Sequence, residues 1–148
     1  MSAKDDALAA IVTTINRVNT ILERDFSIRL NVVANNKDVI FTNAATDGLS
    51  NGNSSVLLNE VRPILDTEIG SANYDIGHVF HVTSQYTGSG VAYVGVVCDP
   101  PVDGVSRKSQ GVSGSWQPVG DAFDIELVAH EIGHQLGATH TFNSLQGS

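Results

Sequence analysis

The stretch from His130 to His140 constrains this chain more than any other. It reads His130-Glu131-Ile132-Gly133-His134-Gln135-Leu136-Gly137-Ala138-Thr139-His140, the pattern HExxHxxGxxH. On a helix, His130 and His134 stand four residues apart, so both imidazoles leave the same face. Glu131 lies beside them, placed to reach a water on a metal but not to ligate the metal. Gly137 is free to leave right-handed helical geometry and turn the chain, so that His140 returns as a third ligand. Three protein nitrogens leave one position of a tetrahedral zinc open for water, which is the arrangement of a catalytic rather than a structural site.

Chance is a poor explanation of this pattern. HExxH alone has three fixed positions, and adding Gly137 and His140 lowers the chance expectation to roughly one window in ten million at ordinary residue usage. The flanking sequence supports a helix. Asp121 is placed as an N-cap, with Asp124 and Glu126 in an acidic first turn. Val128, Ile132 and Leu136 form an apolar stripe on the side away from His130, so one face packs while the other presents ligands.

Composition bounds the rest. A chain of 148 residues, 41% apolar and 16% charged, has the material for one folded core. Its net charge of −8 argues against nucleic acid or an anionic membrane as the main partner. No run of apolar residues reaches membrane-spanning length. The first twelve residues carry Asp5 and Asp6 and lack the basic-then-apolar order of a signal peptide. Cys98 is the only cysteine. It reads as a small buried apolar residue or as half of a disulfide whose partner lies outside this chain.

Along the chain, residues 5–24 read as an amphipathic helix through Leu8, Ile11, Val12, Ile15, Val18 and Leu22. Residues 26–33 alternate as a half-buried strand, with Phe26, Ile28, Leu30 and Val32 on one face. Val39-Ile40-Phe41 reads as a short strand, and residues 43–55 as a loop. A second helix is expected over 55–69, capped by Ser54 or Ser55, stopped at Gly70, and kinked or split at Pro63. Strands are expected over 76–82 and 91–98. Residues 100–120 read as a polar Gly/Ser-rich loop leading into the metal-binding helix. The order of elements suggests an α/β layer fold with a mixed sheet.

Beyond the zinc helix, Tyr74-Asp75-Ile76-Gly77-His78-Val79-Phe80 and Gly90-Val91-Ala92-Tyr93-Val94-Gly95-Val96-Val97-Cys98-Asp99-Pro100 resemble the strand pair of reprolysin/adamalysin-type metzincin peptidases. The match is closer to the bacterial, secreted reprolysin-like type and covers residues 5–143, strongest after Asn73. This resemblance implies a zincin-like α/β catalytic domain, a twisted mixed sheet packed on long helices. It implies a zinc-dependent endopeptidase acting on extended polypeptides outside the cell. His130, His134 and His140 would hold Zn²⁺ and Glu131 would act as general base. Gly90, Val91, Ala92 and Tyr93 would form the edge strand that binds substrate by strand addition.

The chain departs from that family in four places. Metzincins carry a methionine turn beyond the third histidine, whereas the only methionine here is Met1. The family starts with a strand before its first helix. Its cysteine at the position of Cys98 pairs with one beyond the third histidine. Thr141 follows His140 where reprolysins usually have Asp. The chain therefore reads as a single, shortened domain comprising the upper subdomain over 1–148. The rival reading is a non-catalytic module that keeps the fold, and binds zinc or peptide without cutting. Surface left bare by the shortening would favour oligomers.

Three further features carry expectations. His78 and His81 are three apart on a strand and point to opposite faces, so they do not pair as ligands of one metal, and each reads as structural or surface. Asn43, Asp47, Asn51 and Asn53 offer oxygen ligands of the kind that suit Ca²⁺, against the simpler reading of a solvated loop. Trp116 either touches substrate or covers a sheet edge.

Overall fold

The structure, a computed structural model, describes residues 2–83 and 88–141. Helix α1 spans Ala3–Phe26 and starts in a capping box. Ser2 Oγ accepts from the Asp5 amide, and the Asp5 carboxylate reaches back to the Ser2 amide at 2.9 Å. The buried face of α1 is Thr14, Val18, Asn19 and Leu22, so Val12 from the expected apolar stripe stays 39% exposed.

The expected strand over 26–33 does not form. Helix α1 runs through Phe26, which is 63% exposed, and Ser27 closes it in the left-handed region at φ 57°. The extended segment that follows finds a side chain instead of a sheet. Asn19 donates from Nδ2 to the Leu30 carbonyl at 2.9 Å and accepts from the Leu30 amide at 2.8 Å, satisfying both main-chain groups. The strand expected over 39–41 is likewise replaced by a short 3₁₀ turn at Asn36–Val39.

Helix α2 spans Ser54–Leu65 and widens into a π turn over Asp66–Gly70. Its cap is Asn53, whose Oδ1 accepts from the Val56 amide, rather than Ser54 or Ser55. The helix passes through Pro63, and the widening follows it. Asp66 donates its amide to the carbonyls of both Arg62 and Pro63. Gly70, at φ 87°, ends the turn.

Three strands form one mixed sheet in the order β1-β3-β2. Strand β1 is Val79–Val82, β2 is Ser89–Ala92 and β3 is Gly111–Ser115. β1 runs parallel to β3, with Val79 opposite Val112, and β2 runs antiparallel to it, with Gly90 opposite Ser113. The central strand lies inside the segment 100–120 that reads as a loop, and all five of its residues are buried. Glycine is required there by close approach. A β-carbon on Gly114 would overlap the His81 ring, and one on Gly111 would overlap Gln135 and His78.

The polar residues leading into β3 are also inside. Ser106, Lys108, Ser109 and Gln110 are all buried. Asp66 accepts from the Ser106 amide and from the Tyr74 hydroxyl, each at 2.7 Å. Arg62 donates to the Ser106 carbonyl at 2.9 Å. The Lys108 ammonium lies 4.4 Å from the centre of the Tyr74 ring and donates to the Ser71 carbonyl. Polarity here marks a buried network rather than a solvated loop.

Alternation along the strands sorts side chains into two layers. On one face Val112 packs with Leu57 and Leu58 of α2, joined by Val79 and Val91. On the other, Phe80 packs against Val18 and Leu22 of α1 and Phe123, Val128 and Ile132 of the C-terminal helical segment. The sheet is thus covered by α2 on one side and by α1 with the histidine-bearing helix on the other.

Candidate metal centre

The histidines ride on a helical run of three parts. Asp121–Phe123 forms α3, Asp124–Val128 a wide π turn, and Ala129–Gln135 α4. Gly120, not Asp121, occupies the N-cap, at φ 82°. The wide turn is tied to α1. Asp124 is buried and accepts from the Thr14 hydroxyl at 2.7 Å, with Arg17 Nε 3.0 Å from its other oxygen. Val128 and Ile132 are in the core, and Leu136 packs against it, so the apolar stripe anchors the helix.

The opposite face presents the three histidines, which could hold a metal. His130 Nε2 and His134 Nε2 lie 3.1 Å apart, His134 and His140 3.1 Å, and His130 and His140 3.2 Å. A tetrahedral zinc with bonds of about 2.05 Å spaces its ligand nitrogens about 3.3 Å apart. The triangle therefore fits. Three imidazole nitrogens converging this closely are the arrangement that a shared cation satisfies at once. His134 is set for that role. Its Nδ1 lies 2.7 Å from the Ala138 carbonyl, which takes that N–H and leaves Nε2 with its lone pair free. Among the described residues, these histidines are the only such cluster of His, Cys, Asp or Glu groups.

The return of His140 is built from the backbone. The Ala138 amide donates to the Gly133 carbonyl at 2.9 Å and the Gly137 amide to the His134 carbonyl at 2.8 Å. That pair of bonds is a Schellman ending, and Gly137 takes the left-handed position at φ 108°. Residues 95–97 dock on the same helix end. The Gly95 amide donates to the His134 carbonyl at 2.9 Å and the Val96 amide to the Gln135 carbonyl at 3.0 Å. This docking is why the strand expected over 91–98 stops at Ala92.

Glu131 is buried, and its carboxyl faces Gly90 of β2. Burial raises its pKa above the ordinary carboxylate value, against the pull of His134 and His140, which lowers it. β2 is an edge of the sheet, and among the described residues it pairs with β3 alone. Gly90 and Ala92 face the metal helix, and Val91 faces α2. Tyr93 lies just past the strand, 44% exposed, with its amide bonded to the Gln110 carbonyl and the Arg107 guanidinium 5.5 Å from its ring centre.

Gln135, which has no role assigned from sequence, supports the helix together with His78. Gln135 is fully buried and donates from Nε2 to the Gly77 carbonyl at 2.8 Å. Its Oε1 lies 2.7 Å from His78 Nδ1, and His78 Nε2 lies 2.9 Å from Ser113 Oγ. Burial pushes the His78 pKa down to about 4, with the Gln135 contact pulling the other way. His81 goes to the opposite face and meets Ser54 Oγ at 3.2 Å. The signal for Gln135 was its place beside the stripe, three residues after Ile132, since a polar residue on a packing face needs buried partners.

The remaining candidates fall elsewhere. In the 43–53 loop the oxygens are engaged locally. Asn43 accepts from the Ala45 amide, Asp47 from Leu49 and Asn51, and Asn53 from Val56. Cys98 is exposed rather than buried, with its Sγ 3.8 Å from Asp75 Oδ1. Trp116 and Val119, 47% and 60% exposed, line an open cleft of about 540 Å³ with Phe123, Leu127 and Gly88. No helix among the described residues is long and apolar enough to cross a membrane.

No solved structure gives a significant match to the chain. The family model described as metallo-peptidase family M12B, reprolysin-like, matches residues 1–147. With that match spanning nearly the whole chain and a histidine triad that could hold a metal, the mixed α/β fold is that of a metzincin-like domain, and the chain belongs to the reprolysin-like metallopeptidases of family M12B.

Proposed function

We propose that the chain works as a zinc endopeptidase domain on extended polypeptides, outside the cell. His130, His134 and His140 would hold the zinc through Nε2. The observation that carries this reading is the convergence of three Nε2 atoms within 3.2 Å beside a buried carboxylate and a strand edge that is unpaired among the described residues.

Zinc bound there would supply Lewis-acid chemistry, lowering the pKa of water and polarising the scissile carbonyl. The protein's own groups do the rest. The segment Gly90, Val91, Ala92 and Tyr93 would take an extended peptide as a further strand, through the outward main-chain groups of Gly90 and Ala92, since the Tyr93 amide is already bonded to the Gln110 carbonyl. The absence of a side chain on Gly90 leaves the space that Glu131 fills. Glu131 takes a proton from the attacking water on its carboxylate and delivers it to the leaving amine nitrogen. Its raised pKa brings it nearer the range in which a carboxylate both accepts and returns a proton. No side chain forms a covalent bond to the substrate.

The test is Glu131→Ala. It keeps one zinc per chain by elemental analysis and loses cleavage of an unstructured polypeptide. Cleavage equal to that of the parent sinks the assignment of Glu131.

A further inference from the structure

The last turn of the metal helix has two tasks in conflict. It must stay rigid enough to hold His134, yet the chain must reverse within three residues to bring His140 to the same point. Main-chain bonds alone leave the end of a helix prone to fray. Here a side chain enters the problem. Gln135 follows His134 directly and points away from the ligand triangle, into the sheet.

Every polar atom of that side chain is used. Nε2 donates to the Gly77 carbonyl at 2.8 Å and approaches the Lys108 carbonyl at 3.4 Å. Oε1 accepts from His78 Nδ1 at 2.7 Å. That assignment makes His78 Nε2 the acceptor, and Ser113 Oγ donates to it at 2.9 Å. The chain of contacts runs from the helix through β3, by way of the segment leading into β1. It occupies the space over Gly111, where any β-carbon would overlap both Gln135 and His78. Meanwhile the Gln135 carbonyl accepts from the amides of Val96 and Val97. One residue thus fixes the helix end through its side chain on the sheet side and its main chain on the loop side.

We propose that Gln135, held by His78 and Ser113, is a positioning residue for the metal centre. It sets the orientation of the last helical turn, and through it the 3.1 Å separation of His134 Nε2 from His140 Nε2. The inference rests on the reading of the triad as a metal site. It goes beyond that reading by naming residues that touch neither metal nor substrate. Removing a partner that orients metal ligands typically weakens metal affinity by about 10–100-fold.

The experiment is a zinc affinity measurement on the 148-residue chain by competition with a chromophoric chelator, with cobalt substitution as a report on ligand geometry. Gln135→Met keeps the side-chain length and removes the polar contacts. Leu57→Ala is the control, since Leu57 lies in the core on the far side of the sheet and costs stability without touching the network. The expected result is zinc binding weaker by about 10-fold or more in Gln135→Met and an altered cobalt d–d spectrum, with Leu57→Ala like the parent in both. Parent-like affinity and spectrum in a folded Gln135→Met overturn the proposal. So does an equal loss of affinity in Leu57→Ala, because the effect would then be general destabilisation. Should Gln135→Met fail to fold, Ser113→Ala decides, as a smaller cut at the far end of the same chain of contacts. A weaker, spectrally altered site supports the proposal and an unchanged one overturns it. A parent chain that binds no zinc overturns the metal reading itself, and with it this one.

Discussion

Gly90 and Glu131 are fitted to each other so closely that neither position is independent. A β-carbon on Gly90 would lie 2.6 Å from Glu131 Cγ and 2.7 Å from its Cδ, and closer still to one carboxylate oxygen. The crowding reaches back along the side chain, so swinging the carboxylate alone does not relieve it. The edge strand and the proposed general base therefore share one space. Gly90→Ala should leave the zinc content at one per chain and lower kcat/KM by about 100-fold or more, the worth of a positioned acid–base group. Peptide-cleavage kinetics alongside elemental analysis check this. Parent-like turnover in Gly90→Ala would show that Glu131 does not act from the position it occupies here.

Gly133 inside α4 and Gly137 just past its end should respond to alanine with opposite signs. Gly137 sits at φ 108°, where an L side chain is strained, and its nearest neighbour for a β-carbon is Gly95 Cα at 4.0 Å. The cost is thus one of backbone conformation, about 1–3 kcal/mol. For a chain of this size that lowers Tm by roughly 2–10 °C. Gly133 lies inside α4 with nothing within 4 Å of a β-carbon, so alanine there gains about 0.5–1 kcal/mol of helix propensity. Thermal denaturation of the two variants decides the matter. A stabilised Gly137→Ala would mean that the left-handed turn is not what ends this helix.

The histidine pattern and the helix carrying it were legible because their periodicity is local. His130, His134, the acidic turn and the stripe of Val128 and Ile132 all lie within a few turns of one another. Strand β3 was not legible, because its glycines are set by partners distant in sequence. Gly111 answers to Gln135 and His78, and Gly114 to His81. Read alone, Gly111-Val112-Ser113-Gly114-Ser115 has the composition of a loop. The opposite error arose at residues 26–33, where clean alternation promised a strand. Asn19 took both main-chain groups of Leu30, so the segment is extended without joining the sheet. In each case a tertiary partner decided, and local pattern carried no trace of it.

His78 makes stability depend on pH in a defined window. Its unfolded pKa is 6.5, and burial holds the folded value at about 4. Between those values the unfolded chain binds a proton that the folded chain does not, so stability falls as pH falls through the window. The shift corresponds to about 3 kcal/mol over the full window, all of it intact above pH 6.5. Burial lowers the pKa of His81 as well, which adds a slope of the same sign. Urea unfolding of the zinc-free chain at pH 7 and pH 5 measures the effect without proton competition for bound metal. His78→Asn should flatten the difference between the two pH values. An unchanged difference would show that His78 is protonated in the folded chain.

Asp124 and Asp121 both lie against Arg17, and their burial separates their worth. Asp121 is 77% exposed, and surface pairs of this kind contribute about 0–1 kcal/mol. Asp124 is only 4% exposed, with Thr14 Oγ on one oxygen and Arg17 Nε on the other. Truncating one partner of a buried pair costs about 3–5 kcal/mol when both charges are enclosed. Arg17 keeps 41% of its side chain in water, which brings the expected cost of Asp124→Ala down to about 2–3 kcal/mol. Asp121→Ala should fall within about 0.5 kcal/mol of the parent. Asp124→Asn retains an acceptor for Thr14 and should lie between the two. Because Asp124 opens the wide turn that leads into His130, the loss also frees the metal helix from α1. Urea denaturation of the variants ranks them, and an Asp124→Ala chain as stable as Asp121→Ala would mean that the buried carboxylate does not hold the two helices together.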